Sequence, residues 1–93
     1  MFKTNEYFGG KVKSIAFQTA DCPATIGVMA AGEYQFGTST VEYMTITSGQ
    51  LFAILPGEND WKVYKAGETF KVEANVKFKV KALADTAYLC LYK

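Results

Sequence analysis

The sequence has no histidine and no arginine. Without histidine there is no Ser-His-Asp or Cys-His catalysis, no imidazole acid or base, and no histidine-ligated metal. Without arginine, an anion falls to lysine, hydroxyl groups or backbone N–H groups. A lysine serves as a point charge but lacks the bidentate fork of a guanidinium. Two cysteines, Cys22 and Cys90, lie far apart and fit no metal-ligand spacing. Cys90 sits in an apolar run and reads as a buried thiol. No apolar run approaches the roughly 18 residues a membrane helix requires. The start, Met1-Phe2-Lys3-Thr4-Asn5-Glu6, lacks the basic-then-apolar order of a secretory leader. The expected location is therefore the cytoplasm, with no membrane partner.

What is present is apolar and aromatic. The 93 residues are 49% hydrophobic and 20% charged, which argues against disorder. Ten lysines against nine acids leave a net charge of +1, with none of the clustered basic excess of a nucleic-acid binder. The length fits one domain, residues 1–93, with a single core and a modest pocket.

Turn residues cut the chain into short strands. From Val76 to Ala82 the alternation is clean: Val76, Phe78, Val80 and Ala82 share one face and Lys77, Lys79 and Lys81 the other. That pattern reads as a strand wet on its lysine side and buried on its Phe78 side. Further strands are expected over 11–18, 25–30, 33–37, 42–48, 50–55, 61–64, 69–72 and 88–92. The run Tyr88-Leu89-Cys90-Leu91-Tyr92 is apolar on both faces. It belongs in the middle of a sheet or against a second subunit. No segment reads as a helix. The expected fold is all-β, an antiparallel sandwich or closed barrel able to hold one small ligand.

Within such a fold, Glu42 shares a face with Met44 and Ile46. A carboxylate there is costly unless it is bonded, paired or protonated. Either it lies at an exposed strand end or it faces a ligand, where it would bind a diol or handle a proton. Tyr34, Phe36 and Thr38 share parity and line the same cavity if their strand continues. Tyr7, Phe8, Trp61, Tyr64 and Phe70 complete an aromatic set suited either to the core or to stacking a flat heterocycle. Gly9-Gly10 is too short to be read as a phosphate loop.

Two resemblances follow from these residues. The cupin pattern has a Glu followed, after six residues, by Gly, as Glu42 and Gly49 are here. Its histidine positions before that Glu are Phe36 and Thr38. In its second motif, counted from Gly67, the turn falls on Glu73-Ala74-Asn75 and the last histidine position is Phe78. This resemblance implies a jelly-roll barrel without the usual metal. Asn5-Glu6-Tyr7-Phe8, Val12-Lys13-Ser14, Ile26-Gly27-Val28-Met29, Gly32-Glu33-Tyr34, Phe36, Glu42, Met44-Thr45, Asp60-Trp61, Tyr64 and Tyr88-Leu89-Cys90 with Tyr92 resemble the small single-domain bacterial pyrimidine/purine nucleoside phosphorylases.

That second resemblance implies phosphorolysis of diverse nucleosides to a free base and ribose 1-phosphate. It also implies a homodimer and no cofactor. Glu42 would carry the chemistry. Tyr34, Phe36, Thr38, Trp61, Tyr64 and Phe78 would hold the nucleoside. Lys13, Thr38 or backbone donors would hold phosphate, and no residue would hold a metal. The alternative is a non-enzymatic, metal-free cupin that binds a small metabolite or a protein partner. A sugar-modifying metal cupin is disfavoured by the absent histidines.

Overall fold

The computed structural model describes every residue from Met1 to Lys93. Ten strands follow one another in the order β1 (Thr4–Tyr7), β2 (Val12–Gln18), β3 (Pro23–Met29), β4 (Gly32–Gly37), β5 (Glu42–Ser48), β6 (Gln50–Ile54), β7 (Lys62–Lys65), β8 (Thr69–Val72), β9 (Lys77–Ala82) and β10 (Thr86–Tyr92). One turn of 3-10 helix, Phe8–Gly10, separates β1 from β2. Every paired neighbour runs antiparallel.

The strands form two sheets, of order β1-β2-β3-β10-β5-β8 and β4-β9-β6-β7. Their inner faces share one cluster of fourteen buried residues, among them Val12, Met29, Met44, Ile46, Leu51, Val80 and Cys90. The expected barrel closure is not made. No ladder joins the two sheets, so the fold is a cupin-like sandwich with edges at β1, β8, β4 and β7. Lysine blunts the β7 edge, where Lys62 and Lys65 are exposed.

Alternation in β9 is as its sequence dictates. Phe78, Val80 and Ala82 are buried, Lys77 and Lys79 exposed and Lys81 half-buried. The doubly apolar run forms β10, which lies between β3 and β5 in the larger sheet. Strand β1 was not expected from the sequence, because its four residues alternate weakly and only Asn5 is even half-buried. It is held by its register with β2, Thr4 opposite Ile15 through Tyr7 opposite Val12.

Two turns hold the cupin-like motif positions in place. Gly49 sits at φ 87° between β5 and β6, and a Cβ there would lie 3.0 Å from Thr86 Oγ1. Asn75, where the pattern has glycine, takes φ 61°. Asparagine is among the few side chains that tolerate this left-handed conformation.

Candidate active site

Between the sheets lies a cavity of about 430 Å³, a volume suited to a small molecule. Its exposed lining residues are Tyr7, Phe8, Gln35, Gly37 and Ser39, which place the mouth beside β1 and the β4–β5 connection. Its deeper wall comes from the larger sheet. Register puts Tyr92 opposite Glu42, Cys90 opposite Met44, and Tyr88 opposite Gly27, itself opposite Ser14. Side chains two apart on a strand share a face, so Ser14, Glu42, Tyr88, Cys90 and Tyr92 converge on one wall. Met29 and Met44 add apolar surface to that same sheet face, and Phe36 and Phe78 face it from the smaller sheet.

Glu42 faces this cavity and is half-buried. The Cys90 thiol donates to its Oε1 at 3.5 Å. Burial raises the Glu42 pKa above the ordinary carboxylate range, and the thiol contact only partly offsets that shift. Cys90 is reduced and almost wholly buried. Burial first, and then the Glu42 charge, push its pKa up, so the thiol is a proton donor to the carboxylate rather than a thiolate nucleophile.

Two tyrosines complete the wall. The Tyr88 ring occupies the space beside Gly27, where a Cβ would come within 2.4 Å of it; glycine at this strand position makes room for the tyrosine. Burial, with smaller contributions from Cys90, Tyr7 and Glu42, pushes the Tyr88 phenol up to about 12. Tyr92 shares a hydrogen bond of 3.0 Å with Thr25 Oγ1, and burial raises its pKa too. Both phenols stay protonated at neutral pH. Neither was expected at the site from the sequence, although the apolar run on β10 contains both. The parity shared by Tyr88, Cys90 and Tyr92 was the available signal.

The residues singled out from the sequence divide into two groups. Glu42, Phe36 and Phe78 line the cavity. Tyr34 stands behind it, its ring 5.0 Å from that of Phe8 and its hydroxyl donating to Ala30 O at 2.7 Å. Tyr64 packs on Phe70 at 4.6 Å in the core, away from the cavity lining. Thr38 sits at the rim between two lining residues, and its side chain works as a clasp. Its hydroxyl donates to Glu73 O at 2.6 Å and accepts from Val76 N–H at 3.1 Å, tying the β4–β5 connection to the loop before β9.

Trp61 is elsewhere, with the Lys81 ammonium 4.5 Å from its ring centroid on the outer side of the smaller sheet. Lys13 is exposed on the outer side of the larger sheet, in register with Val28. No lysine lines the cavity.

The cupin fold raises the question of a metal, and the donor set does not fit one. Phe36 and Phe78 present rings at two of the motif's three histidine positions, and Thr38 spends its hydroxyl on the backbone. No three His, Cys, Asp or Glu side chains converge anywhere in the chain. What the cavity offers is one carboxylate of raised pKa, several neutral hydroxyl donors and an aromatic wall. That set can bind a sugar, stabilise a developing positive charge and donate protons to a leaving group.

Comparison with known proteins agrees with this geometry. A family model described as pyrimidine/purine nucleoside phosphorylase matches residues 2–92. The pyrimidine/purine nucleoside phosphorylase of Alcanivorax borkumensis is 65% identical over 92 residues, covering 99% of this chain and 98% of its own. A crystal structure of a Vibrio parahaemolyticus protein of unknown function superposes with a TM-score of 0.96 at 44% identity, over 100% of this chain and 99% of that one. An RmlC-like cupin from Shewanella frigidimarina shares the fold alone, with a TM-score of 0.77 at 17% identity over 99% and 83% of the two chains. The chain belongs to the pyrimidine/purine nucleoside phosphorylase family.

Proposed function

We propose that the protein cleaves purine and pyrimidine nucleosides with inorganic phosphate, releasing the free base and ribose 1-phosphate, in the cavity that Glu42 faces. The observation that carries this reading is a half-buried carboxylate set among neutral hydroxyls and aromatic rings in a member of this family. A phosphate oxygen forms the new bond to the anomeric carbon. The carbon–nitrogen bond breaks, and its electron pair leaves with the base, which takes up a proton.

The sugar acquires oxocarbenium character in between. The Glu42 carboxylate stabilises that positive charge or holds the ribose hydroxyls, as a carboxylate does beside a cleaving glycosidic bond. Tyr88, buried, and Tyr92, half-buried, are both neutral and supply O–H donors to the departing base. Phe36 and Phe78 pack the nucleoside. Phosphate is held without any cation, by the Ser39 and Ser14 hydroxyls, the Gln35 amide and backbone N–H groups at Gly37 and Ser39. Lys13, exposed on the outer side of the larger sheet, and Thr38, whose hydroxyl is bonded to the backbone, are given no part in it in this reading. Ring stacking accepts any base, since every base has a flat face, and this accounts for a broad substrate range.

The working form is one folded unit over residues 1–93, paired as a homodimer in the cytoplasm. The outer face of the larger sheet supports that pairing. Ile15, Ile26 and Val28 are 48%, 44% and 51% exposed there. Ile15, Ile26 and Leu89 lie side by side across three strands. The outer face of the smaller sheet carries Lys77, Lys79 and Lys81 instead. Apolar side chains replace the polar ones that a solvated sheet face would carry, and a second copy covers them.

Incubating the protein with adenosine, inosine, uridine and cytidine, with and without phosphate, tests the reaction. Phosphate-dependent release of both base classes is expected. Binding without release would support a ligand-binding cupin, and release without phosphate would make the protein a hydrolase.

A further inference from the structure

The cavity mouth holds a residue whose backbone conformation is unusual. Phe8 takes φ 54°, the left-handed region that a phenylalanine enters only at a cost in backbone energy. Gly9 and Gly10 follow at φ 67° and 93°, so three successive residues are left-handed and only the last two are glycine. The chain's other non-glycine residue with positive φ is Asn75, a type that tolerates it. At position 8 an aromatic ring is kept where glycine or asparagine would relieve strain. Strained backbone of this kind concentrates at ligand-contacting positions.

Packing alone accounts poorly for the ring. Phe8 lines the cavity yet remains 46% exposed. Its ring meets Tyr34 at 5.0 Å and stands edge-on to Phe36 at 5.5 Å. Tyr7, also lining the cavity and 43% exposed, meets Phe36 edge-on at 6.1 Å. Aromatic surface is thus held open at the mouth, opposite the polar wall of Glu42, Tyr88 and Tyr92.

We infer that Phe8 is the ring on which the base of the nucleoside stacks, and that its left-handed backbone holds the ring at the cavity mouth. This rests on the phosphorylase reading above and adds to it a residue that sets base affinity. Because stacking acts on bound substrate and transition state alike, the contact governs KM more than kcat.

The test compares inosine and uridine kinetics, with melting temperature, in the parent protein and in Phe8→Asn, Phe8→Leu and Phe8→Tyr. Phe8→Asn removes the ring and suits the left-handed backbone. Its KM is expected to rise about tenfold or more for both nucleosides, the scale of one lost stacking contact, with kcat little changed. Phe8→Leu keeps the apolar bulk without the flat face and should show the same KM rise, which carries the test if Phe8→Asn does not fold. Phe8→Tyr keeps the ring and should keep the parent KM. An unchanged KM with a lowered melting temperature would overturn the inference and make Phe8 a packing residue. If the parent releases no base at all, the phosphorylase reading falls and this inference with it. Parent activity with unchanged KM in the ring-less variants overturns the inference alone.

Discussion

At the scale of single residues, Glu42 sets stability against function. Burial raises its pKa in the folded chain above the value near 4.5 of an ordinary carboxylate. The folded state therefore holds more protons than the unfolded state between those two values, and stability falls as pH rises through that interval. Above it the cost of a desolvated carboxylate is fully present; below the ordinary value it is absent. Glu42→Gln removes the charge and keeps the shape. The variant is expected to melt higher than the parent at pH 7, with the difference vanishing below about pH 4. Melting curves across that range check it, and an equal or lower melting temperature at pH 7 would show that Glu42 is paid for by contacts beyond the Cys90 thiol. The carboxylate itself was legible in the sequence, since Glu42 stands on the Met44 and Ile46 face. Its partner was not, because the Cys90 contact spans 48 residues and exists only once β10 pairs with β5.

Elements place these residues, and most of them were visible as patterns. Alternation located β2 to β10 to within about two residues at each end. The inward parity of Phe36 and Phe78 was equally plain. Trp61 and Tyr64 were harder, because Trp61 stands just before β7 and Tyr64 within it, and parity alone does not say which side of a four-residue edge strand meets the cavity. Lys13 went the same way: its parity puts it opposite Ser14, outside the cavity that Ser14 lines. Thr38 shows the reverse outcome, a rim residue whose hydroxyl serves the fold. Thr38→Val leaves the Val76 N–H without that acceptor and the Glu73 carbonyl without that donor. The expected cost is about 1–3 kcal/mol of stability, read by denaturant unfolding, with lower activity as the Gly37–Ser39 rim loosens. Full stability in Thr38→Val would show that the clasp contributes little.

The whole molecule is a two-sheet sandwich with unlike outer faces. One is studded with lysine and the other with Ile15, Ile26, Val28 and Leu89. The apolar β10 run announced an unusual environment in the sequence, and the structure resolves it as a central strand whose outward side chains join that apolar face. Whether the sheets close into a barrel was not legible, because the presence or absence of hydrogen bonding between edge strands leaves no mark on periodicity; the structure leaves them open. Ile26→Lys places a charge in the middle of the apolar face. It is expected to convert a dimer to a monomer by sedimentation equilibrium while leaving the fold intact; a parent that sediments as a monomer would contradict the proposed interface. The chemistry is tested by following ribose 1-phosphate with phosphorus NMR in the parent and in Glu42→Gln, each given inosine and phosphate. The parent should form ribose 1-phosphate, and folded Glu42→Gln should form it at least about a hundredfold more slowly, the scale of a lost electrostatic contribution. An equal rate in the folded variant would contradict a reaction centred on the Glu42 carboxylate.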